Sequence, residues 1–312
     1  MNVRRPTEAD AAAVTDLIAA FETHFIGEPE MRTPDLLNDW RDLDLAKDTW
    51  LVELDGRLAG YAALLTKPHV FVDAYVHPEA SGRGVGTRLV ELTEAEARQR
   101  GIKRLRNGVL ADDKHAHALL EARGYRIARH FYRMVIKLDS PPTAQGWPEG
   151  LRPSRFDPHE ARAFHAALDE VFEDEWDHEP EPFDDWRRCR LEAPNVDLSL
   201  WFAVKDGTEI AAIAVCDRER FGMGWVGAIG VRKFWRRRGL GLALLRHCFA
   251  ELEARGQKTI GLGVDADNPT GATRLYERAG MHVAWGAALF EKTLGGVSEP
   301  GSGCNRVRRP QV

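Results

Sequence analysis

The apolar positions in the second half of the chain follow two periods, which predict a strand and then a helix. Residues 228–231 form a short apolar run typical of a buried strand. Beyond a basic turn, apolar residues recur at the 3.6-residue spacing of a helix face: Leu244, Leu245, Cys248, Phe249 and Leu252. They predict a helix over 240–255 that ends at Gly256. Helices and strands are mixed throughout the chain, which is typical of an α/β or α+β fold.

The same order of patterns occurs twice. Gly84-x-Gly86 stands 155 residues before Gly239-x-Gly241, and each pair precedes a long apolar helix pattern. An Asp-Gly pair lies between two apolar strands in each half, at Asp55 and at Asp206, and predicts a β-hairpin. Each half reads as helix, hairpin, strand, glycine-rich turn, long helix, strand, helix and strand. A repeat of this length indicates a duplicated domain, since solenoid units are only about 20–50 residues long.

The repeat predicts two domains joined by a linker. We assign residues 1–139 to an N-terminal domain and residues 151–294 to a C-terminal domain. Residues 140–150 are rich in proline and glycine, as expected for a linker. Residues 295–312 show no periodicity and are predicted to be disordered.

Composition narrows the range of functions. The net charge is −5, with 43 basic and 48 acidic residues among 312, which argues against bulk attraction to nucleic acid. The sequence contains neither a membrane-spanning apolar run nor a secretory leader, so we expect a cytoplasmic protein that has no membrane partner. We also expect a monomer or a homodimer. The cysteines are far apart and form no C-x-x-C pair, so we expect no bound metal.

Three consecutive arginines at the start of a helix point to an anionic ligand. Arg236, Arg237 and Arg238 directly precede Gly239. A helix start already offers unpaired N–H groups and partial positive charge, and glycine leaves the backbone open to close approach. The turn therefore reads as a phosphate cradle, although a solvated basic helix start is the plainer alternative. The chain contains neither G-x-x-x-x-G-K-[ST] nor G-x-G-x-x-G, which argues against a P-loop nucleotidase and a Rossmann dinucleotide site.

The stretch R-R-R-G-L-G resembles the R/Q-x-x-G-x-G/A loop of the Gcn5-related N-acetyltransferases (GNAT). The resemblance covers both halves and implies two tandem domains, each with a mixed, mostly antiparallel central sheet flanked by helices. It also implies that backbone amides of this loop hold the pyrophosphate of acetyl-CoA. The residues implicated are Arg236, Arg237, Arg238, Gly239, Leu240, Gly241 and Leu242, with Gly82, Arg83, Gly84 and Gly86 as the N-terminal counterpart.

A second motif lies near the end of the C-terminal half. The stretch N-P-T-G-A-T-R-L-Y-E-R-A-G-M resembles the N-x-x-A-x-x-L-Y-x-x-x-G-F segment of the same family, with one extra residue after Asn268. Either Asp267 or Asn268 is expected to cap the helix, and Gly280 is expected to end it. The resemblance implies that Asn268 bonds the pantetheine arm and that Tyr276 protonates the departing thiolate. From spacing alone, Tyr276 could equally be a core tyrosine.

The chemistry of acyl transfer fits these assignments. When an amine attacks a thioester, the carbonyl oxygen becomes negatively charged. Backbone N–H groups near Ile229 and Val231, at the end of the preceding strand, could stabilise that oxygen. A general acid such as Tyr276 then assists departure of the thiolate.

The N-terminal half departs from the pattern. Leu120 stands at the tyrosine position, Asp112 at the asparagine position and Ser81 at the first arginine of the loop. We therefore expect the C-terminal half to be the working copy and the N-terminal half to be catalytically degenerate. In similar tandem members of the family, the resemblance implies that a glutamate on the strand before the loop acts as the general base. Trp225 stands at that position in this chain.

An acidic stretch with interleaved aromatic residues, 172–186, follows the first helix of the C-terminal half. Carboxylates attract an ammonium group and aromatic faces can hold it, so Trp176, His178 and Trp186 are candidate acceptor contacts. Glu173, Glu175 or His178 could take the proton of the amine. The stretch could instead be an exposed acidic loop whose aromatic residues pack on the core.

These observations predict an N-acetyltransferase that moves an acetyl group from acetyl-CoA to a primary amine of a small molecule, by direct attack in a ternary complex. Two alternatives stay open: transfer to a protein or peptide acceptor, and a non-catalytic regulator that only binds acyl-CoA. The pair Tyr276 and Asn268 argues against the regulator for the C-terminal half.

Overall fold

The computed structural model describes residues 1–66, 69–139, 146–193, 196–268 and 270–295. The predicted linker lies mostly outside this range, as does nearly all of the predicted tail. The first half contains strands β1 (Asn2–Arg4), β2 (Thr49–Leu54), β3 (Arg57–Leu65), β4 (Phe71–Val76), β5 (Arg104–Leu110) and β6 (Arg126–Lys137). Its helices are α1 (Ala11–Ile26), α2 (Thr33–Trp40), α3 (Leu45–Asp48), α4 (Val85–Gln99) and α5 (Lys114–Ala122).

The second half repeats this order. Its strands are β7 (Arg152–Arg155), β8 (Trp201–Asp206), β9 (Glu209–Arg220), β10 (Met223–Val231), β11 (Thr259–Asp265) and β12 (His282–Thr293). Its helices are α6 (Ala161–Phe172), α7 (Phe183–Trp186), α8 (Leu240–Glu253) and α9 (Ala272–Arg278). Residues Arg187–Leu191 form a single π-helical turn after α7.

The described residues form two compact units that do not follow the predicted boundary. The N-terminal unit comprises residues 1–131 and 285–295, and the C-terminal unit comprises Tyr132–Ala284. The cause is the placement of the last strand of each half. The end of β12 pairs with β5 in the N-terminal unit, and β6 lies beside β11 in the C-terminal unit. The predicted domain bounds, residues 1–139 and 151–294, stay predictions.

Each unit has a mixed and mostly antiparallel sheet, as expected. The order is β1-β2-β3-β4-β5-β12 in the N-terminal unit and β7-β8-β9-β10-β11-β6 in the C-terminal unit. Within each, the neighbours β4 and β5 or β10 and β11 run parallel, and the preceding hairpin strands run antiparallel. The hairpins match in detail, because the pairing shifts register after Val52 in one and after Val204 in the other.

Helices cover both faces of each sheet. In the C-terminal unit, the predicted apolar face of α8 is buried at Leu244, Leu245 and Phe249, while α6 packs on the opposite face through Phe164. In the N-terminal unit, α4 and α1 take the equivalent places. Fully burying one such Leu or Phe side chain contributes about 1.5–3 kcal/mol, so these two layers stabilise each sheet.

Close packing of α4 on β3 depends on Gly60. A Cβ atom at this position would lie 2.6 Å from Val85 Cγ1 and 3.1 Å from Leu89 Cδ1. Both side chains are buried and cannot move aside without disturbing the core. The strand and helix therefore approach more closely here than any larger residue would allow.

Gly60→Ala is expected to lower the free energy of unfolding by about 1–3 kcal/mol, because the added methyl group overpacks this contact. Urea unfolding followed by tryptophan fluorescence measures the change. Gly146→Ala is the control: no atom lies within 4 Å of its Cβ position, so its stability should stay within about 0.5 kcal/mol of the parent. Equal stability of the two variants would contradict the packing argument.

Candidate functional site

The turn between β10 and α8 leaves the start of α8 open. Residues Lys233–Trp235 form one helical turn, and the chain then runs through the three arginines to Gly239, the N-cap of α8. Gly239 has φ +79°, and no atom lies within 4 Å of where its Cβ would be. The first N–H groups of this 14-residue helix are therefore not covered by a capping side chain. The turn has the form of an anion site.

Arg237 holds a backbone conformation that L-residues rarely adopt. Its φ is +65°, in the left-handed region. The equivalent residue in the N-terminal repeat is Gly82, with φ +73°. The two loops thus share one backbone path, and only the C-terminal copy follows it with a side chain. Such a residue costs roughly 1–2 kcal/mol, and strain of this kind concentrates at binding and catalytic sites.

The three arginines differ in what they contact. Arg236 donates from Nε to the carbonyl oxygen of Val231 at 3.0 Å and from a terminal nitrogen to Asp174 at 2.9 Å. Arg238 lies over the exposed ring of Phe234, 5.1 Å from its centroid. In the described part of the chain, neither Arg237 nor Arg238 forms an ion pair with a carboxylate. Arg236 therefore holds the turn against the protein, while Arg237 and Arg238 leave their charge available to a ligand.

The acidic stretch meets this basic turn, which the sequence did not reveal. Glu170 of α6 accepts from Arg232 at 2.6 Å, and Glu173 forms an ion pair with Lys233. Asp174 lies 3.5 Å from Lys233 in addition to its bond with Arg236. The hydrogen bond from Arg236 holds the pKa of Asp174 below its usual range, and the bond to Glu173 raises the pKa of Lys233.

This pairing bears on Glu173 as a candidate base. Its carboxylate is engaged by Lys233 at the surface, so its place in the structure is that of an ion-pair partner of the turn. The contact joins residues 60 positions apart in the chain. Sequence periodicity and motif spacing cannot predict a contact between residues so far apart in the chain.

The strands β10 and β11 separate beside the turn. Within the described residues, their parallel pairing is limited to Gly224 with Ile260 and Trp225 with Gly261. A register shift between Val226 and Ala228 then bends β10. The N-terminal unit shows the same divergence, since β4 pairs with β5 at Val72 and Asn107. Each sheet thus opens at its centre along the side that leads to the glycine-rich turn.

Backbone N–H groups of β10 point into this opening. Arg232 donates its N–H to Ala211 on the β9 side. Because successive N–H groups in a strand alternate in direction, those of Ile229 and Val231 point the other way, toward β11. The oxygen-stabilising role expected for these two amides agrees with this direction.

Tyr276 lies in α9, beside the opening. Its side chain is 8% exposed and belongs to the same apolar cluster as Ile229, Val231 and Leu275. Gly241 brings α8 against α9, because a Cβ there would lie 2.9 Å from Leu275 Cδ1 and 3.5 Å from Val231 Cγ2. The second glycine of the motif thus makes room for the helix that carries Tyr276.

The expected cap of α9 is wrong. The helix begins at Ala272, and its N-cap is Gly271 in the left-handed conformation, with no side-chain cap. Asn268 instead accepts the N–H of Thr270 at 2.8 Å, and Asp267 donates its N–H to Asp265 at 2.8 Å. The helix N-cap thus lies three residues after Asn268. Pro269, the residue after Asn268, lies outside the described residues.

Among the acceptor candidates, Trp186 has no surface for a ligand. It is 1% exposed and packs against Phe164 and Trp201, with ring centroids 6.4 Å and 6.0 Å away. It is therefore a core residue, and its assignment to the acceptor site is corrected. Glu175, Trp176 and His178 are half-buried in the turn after α6, where His178 donates its N–H to the carbonyl of Glu175 at 3.3 Å.

A carboxylate that sequence reasoning missed lies on β9. Asp217 is half-buried and is the cross-strand partner of Trp225. Burial raises its pKa, and the positive charges of Arg220 and Arg190 act in the opposite direction. The signal in the sequence was present but weak: Asp217 ends the apolar run I-A-A-I-A-V-C at a position that faces the interior.

The N-terminal unit keeps the turn and has Leu120 in place of Tyr276. Arg83 donates to Asp55 at 2.6 Å, both side chains being exposed, and Gly84 is the N-cap of α4 with φ +83°. A Cβ at Gly86 would lie 3.1 Å from Leu119 Cδ2, and a Cβ at Gly241 would lie 2.9 Å from Leu275 Cδ1 in the C-terminal unit. Leu119 and Leu275 are therefore equivalent residues. A cavity of about 80 Å³ between β4, β5, α4 and α5 includes Leu120 in its lining. Leu120 follows Leu119 as Tyr276 follows Leu275, so leucine stands at the position of the tyrosine.

The described residues also bear on membrane and metal binding. None of the helices in the described ranges combines the length and apolar character needed to cross a bilayer. Across those same residues, His, Cys, Asp and Glu side chains form no cluster of three that could hold a metal ion.

Comparisons with known proteins agree with the repeat. The model of the acetyltransferase (GNAT) family matches the chain twice, over residues 12–125 and 161–281. A mycothiol acetyltransferase of Thermobispora bispora is 32% identical over 239 residues, which cover 74% of this chain and 79% of that protein. A mycothiol acetyltransferase of Catenulispora acidiphila is 30% identical over 302 residues, 89% of this chain and 94% of that protein.

Solved structures share the two-unit architecture. A GCN5-related N-acetyltransferase from Sphaerobacter thermophilus superposes with a TM-score of 0.86 and 35% identity, covering 96% of this chain and 97% of that one. A tandem GNAT protein from the clavulanic acid biosynthesis pathway gives a TM-score of 0.72 at 17% identity, over 95% of this chain and 99% of that one. The second likeness concerns the fold alone.

Arg237→Gly is expected to raise the free energy of unfolding by about 0.5–1 kcal/mol, because relief of left-handed strain exceeds the entropy cost of glycine. Arg238→Gly, at a residue outside the left-handed region, should lower it by about 0.4–1 kcal/mol. Urea unfolding of both variants against the parent makes the comparison. A loss of stability in Arg237→Gly equal to that in Arg238→Gly would refute the strain.

Proposed function

The chain belongs to the GNAT family of N-acetyltransferases, and we propose that its C-terminal repeat acetylates a primary amine of a small molecule by direct attack in a ternary complex. The family uses acetyl-CoA as the acetyl donor. The observation that carries the proposal is one arrangement of three parts. An open and cationic helix start stands at one end of a gap between parallel strands, and a buried tyrosine stands beside that gap.

The turn residues fit a pyrophosphate. Arg237 and Arg238 are exposed and carry permanent charge, while Leu240 and Leu242 are buried and can offer only their backbone N–H groups. Arg236 keeps the turn in place through Val231 and Asp174. Asn268 is half-buried in the turn before α9, where its amide could contact the pantetheine arm. Acetyl-CoA bound in this way would supply the activated acetyl group.

The chain's own groups perform the remaining steps. The N–H groups of Ile229 and Val231 point into the gap and can stabilise negative charge on the acyl oxygen. The Tyr276 hydroxyl then gives its proton to the leaving thiolate. An unperturbed tyrosine has a pKa of about 10, close enough to that of an alkyl thiol for this transfer to be feasible.

Several observations favour a small acceptor. The relatives from Thermobispora and Catenulispora carry the name of a small molecule, mycothiol, and match most of this chain. Glu175, Trp176 and His178 form a half-buried acidic and aromatic turn after α6 that can contact an ammonium group. Trp225, at the position where the resemblance implies a glutamate base, favours an acceptor that differs from that of the most similar tandem members.

We assign the N-terminal repeat a binding role without turnover. It keeps Gly82, Arg83, Gly84 and Gly86 in the turn, but Leu120 has no proton to donate. Its loop can therefore hold a coenzyme as a structural ligand.

The proposed activity is tested with the full-length chain, acetyl-CoA and a panel of primary amines that includes mycothiol lacking its acetyl group. Thiol release and the mass of the acetylated product measure transfer. Acetylation of at least one small amine in excess of spontaneous transfer supports the proposal. Transfer only to protein or peptide amines, or binding of acetyl-CoA without transfer to any acceptor, would overturn it.

Tyr276→Phe is expected to lower kcat by about 100-fold or more, the usual effect of removing a general acid. The affinity for acetyl-CoA should be nearly unchanged, because the ring keeps its packing. Steady-state kinetics and calorimetry measure the two quantities. Leu120→Phe, at the equivalent place in the N-terminal repeat, is the control and should keep kcat. Full turnover in Tyr276→Phe would remove the hydroxyl from the mechanism.

Replacing both Arg237 and Arg238 by alanine should weaken acetyl-CoA binding at the C-terminal repeat by about tenfold or more, since hydrogen bonds to charged groups contribute about 1.5–3 kcal/mol each. The salt dependence of binding should fall as well. Arg188→Ala removes an exposed arginine that pairs with Asp185 and should leave the affinity unchanged. Titration calorimetry at two salt concentrations makes the comparison, and equal affinities of all three proteins would contradict the assignment.

A further inference from the structure

We propose that Asp217 is the group that receives the proton of the attacking amine. The proposal rests on the proposed acetyltransferase function of the C-terminal repeat. It concerns a residue on β9, outside the loop and the acidic stretch that the sequence singled out.

Asp217 and Tyr276 lie on opposite faces of the C-terminal sheet. Along β9, Cys216 contacts Cys248 of α8, while Val215 packs in the cluster of Phe164 and α6. Because side chains of a strand alternate, Asp217 is on the α6 face. Tyr276 belongs to the α8 cluster. A thioester placed between β10 and β11 would therefore have an acid on one side and a carboxylate on the other.

The carboxylate lies beside the bend of β10. Asp217 Oδ2 is 3.6 Å from the position that a Cβ of Gly227 would occupy, and Gly227 lies within the register shift of β10. The absence of a side chain at Gly227 leaves the carboxylate uncovered from this strand. Two residues farther along is Ile229, whose N–H points into the gap. The carboxylate of β9 thus lies beside the bend of β10, and the oxygen-stabilising amide follows two residues beyond that bend.

An indole forms the wall next to the carboxylate. Trp225 is paired across the strands with Asp217. Its ring passes over β11, with one ring carbon 3.0 Å from the Cβ position of Gly261 and another 3.9 Å from that of Gly263. The two glycines leave room for the ring to lie flat on the strand. Arg133 of β6 lies over this ring, 4.6 Å from its centroid, and Arg220 lies 5.9 Å from it, so the indole separates Asp217 from β11 and carries two cations of its own.

The charges around Asp217 suit a base. Arg190, from the π-helical turn, is held by Glu181 at 3.0 Å, and Arg220 lies over the ring of Phe221, 4.9 Å from its centroid. These two arginines face Asp217, and their charge opposes the effect of burial, which raises its pKa. A carboxylate with a pKa above its ordinary value accepts a proton more readily than an unperturbed one.

Other carboxylates near the site are already committed. Glu170, Glu173 and Asp174 are paired with Arg232, Lys233 and Arg236. Glu181 is paired with Arg190. In the described ranges, Asp217 makes neither an ion pair nor a side-chain hydrogen bond. Its oxygens are therefore not engaged by another side chain of the described residues.

The proton balance of the step is simple. The amine nitrogen forms a bond to the acyl carbon, and its proton passes to Asp217 directly or through one water. The carbon–sulfur bond then breaks, and the thiolate receives the proton of Tyr276. Asp217 returns its proton to solvent, Tyr276 regains one, and no oxidation or reduction occurs.

Asp217→Asn is expected to lower kcat/KM for the amine by about 100-fold or more while the affinity for acetyl-CoA stays unchanged. The full-length protein is assayed with the best amine of the panel. Asp217→Glu, which keeps a carboxylate, should restore part of the rate. Glu219→Gln removes an exposed carboxylate two residues farther along β9 and should behave as the parent does.

The pH profile separates a base from a purely structural residue. With a weakly basic primary amine, kcat/KM of the parent should fall as the pH drops through the pKa of Asp217, because the carboxylate must be ionised. This acidic limb should vanish in Asp217→Asn. A variant with the parental rate, or with a slower rate but an unaltered acidic limb, would refute the assignment.

The result also separates this inference from the proposed function. If the parent acetylates no amine, the proposed function fails before Asp217 is tested. If the parent and Asp217→Asn acetylate equally well, the function stands and the base is another group.

Discussion

The separation of two parallel strands is the constraint on which the site depends. A parallel pair normally continues its hydrogen bonds along its length, but β10 leaves β11 after Trp225, at the bend around Gly227. The backbone groups released by this divergence, at Ile229 and Val231, supply the polar lining of the gap. Gly241 then lets α8 and α9 meet at its edge, which fixes the position of Tyr276. The N-terminal unit repeats the divergence without the tyrosine.

Ion pairs tie the acidic end of α6 to the basic turn. Arg232, Lys233 and Arg236 each meet a carboxylate of the segment 170–174, whereas Arg237 and Arg238 do not. Exposed pairs of this kind contribute only about 0–1 kcal/mol each, so their main effect is to position the turn. A cluster of like charges becomes tolerable in the absence of ligand because three of its five cations are neutralised locally.

The sequence predicted the repeat and the elements around α8, since each depends on local periodicity or on a short motif. It failed where contacts are long-range. Trp186 looked like part of an acceptor wall, but its burial depends on Phe164 and Trp201. Asp217 was overlooked because its importance comes from facing Gly227 and Trp225 across the strands. The compact units differ from the predicted domain bounds because the pairing of the final strands cannot be read from a linker.

The placement of β12 has a consequence for synthesis on the ribosome. Residues Ala287–Thr293 are translated long after β5, yet they provide its neighbour in the sheet. Until they emerge, the backbone of β5 keeps an open edge that can pair with other chains. A gene fragment that encodes the first half alone would therefore yield an incomplete sheet, and the two copies cannot be separated by simple truncation. Neither sequence half therefore contains all the strands of one sheet.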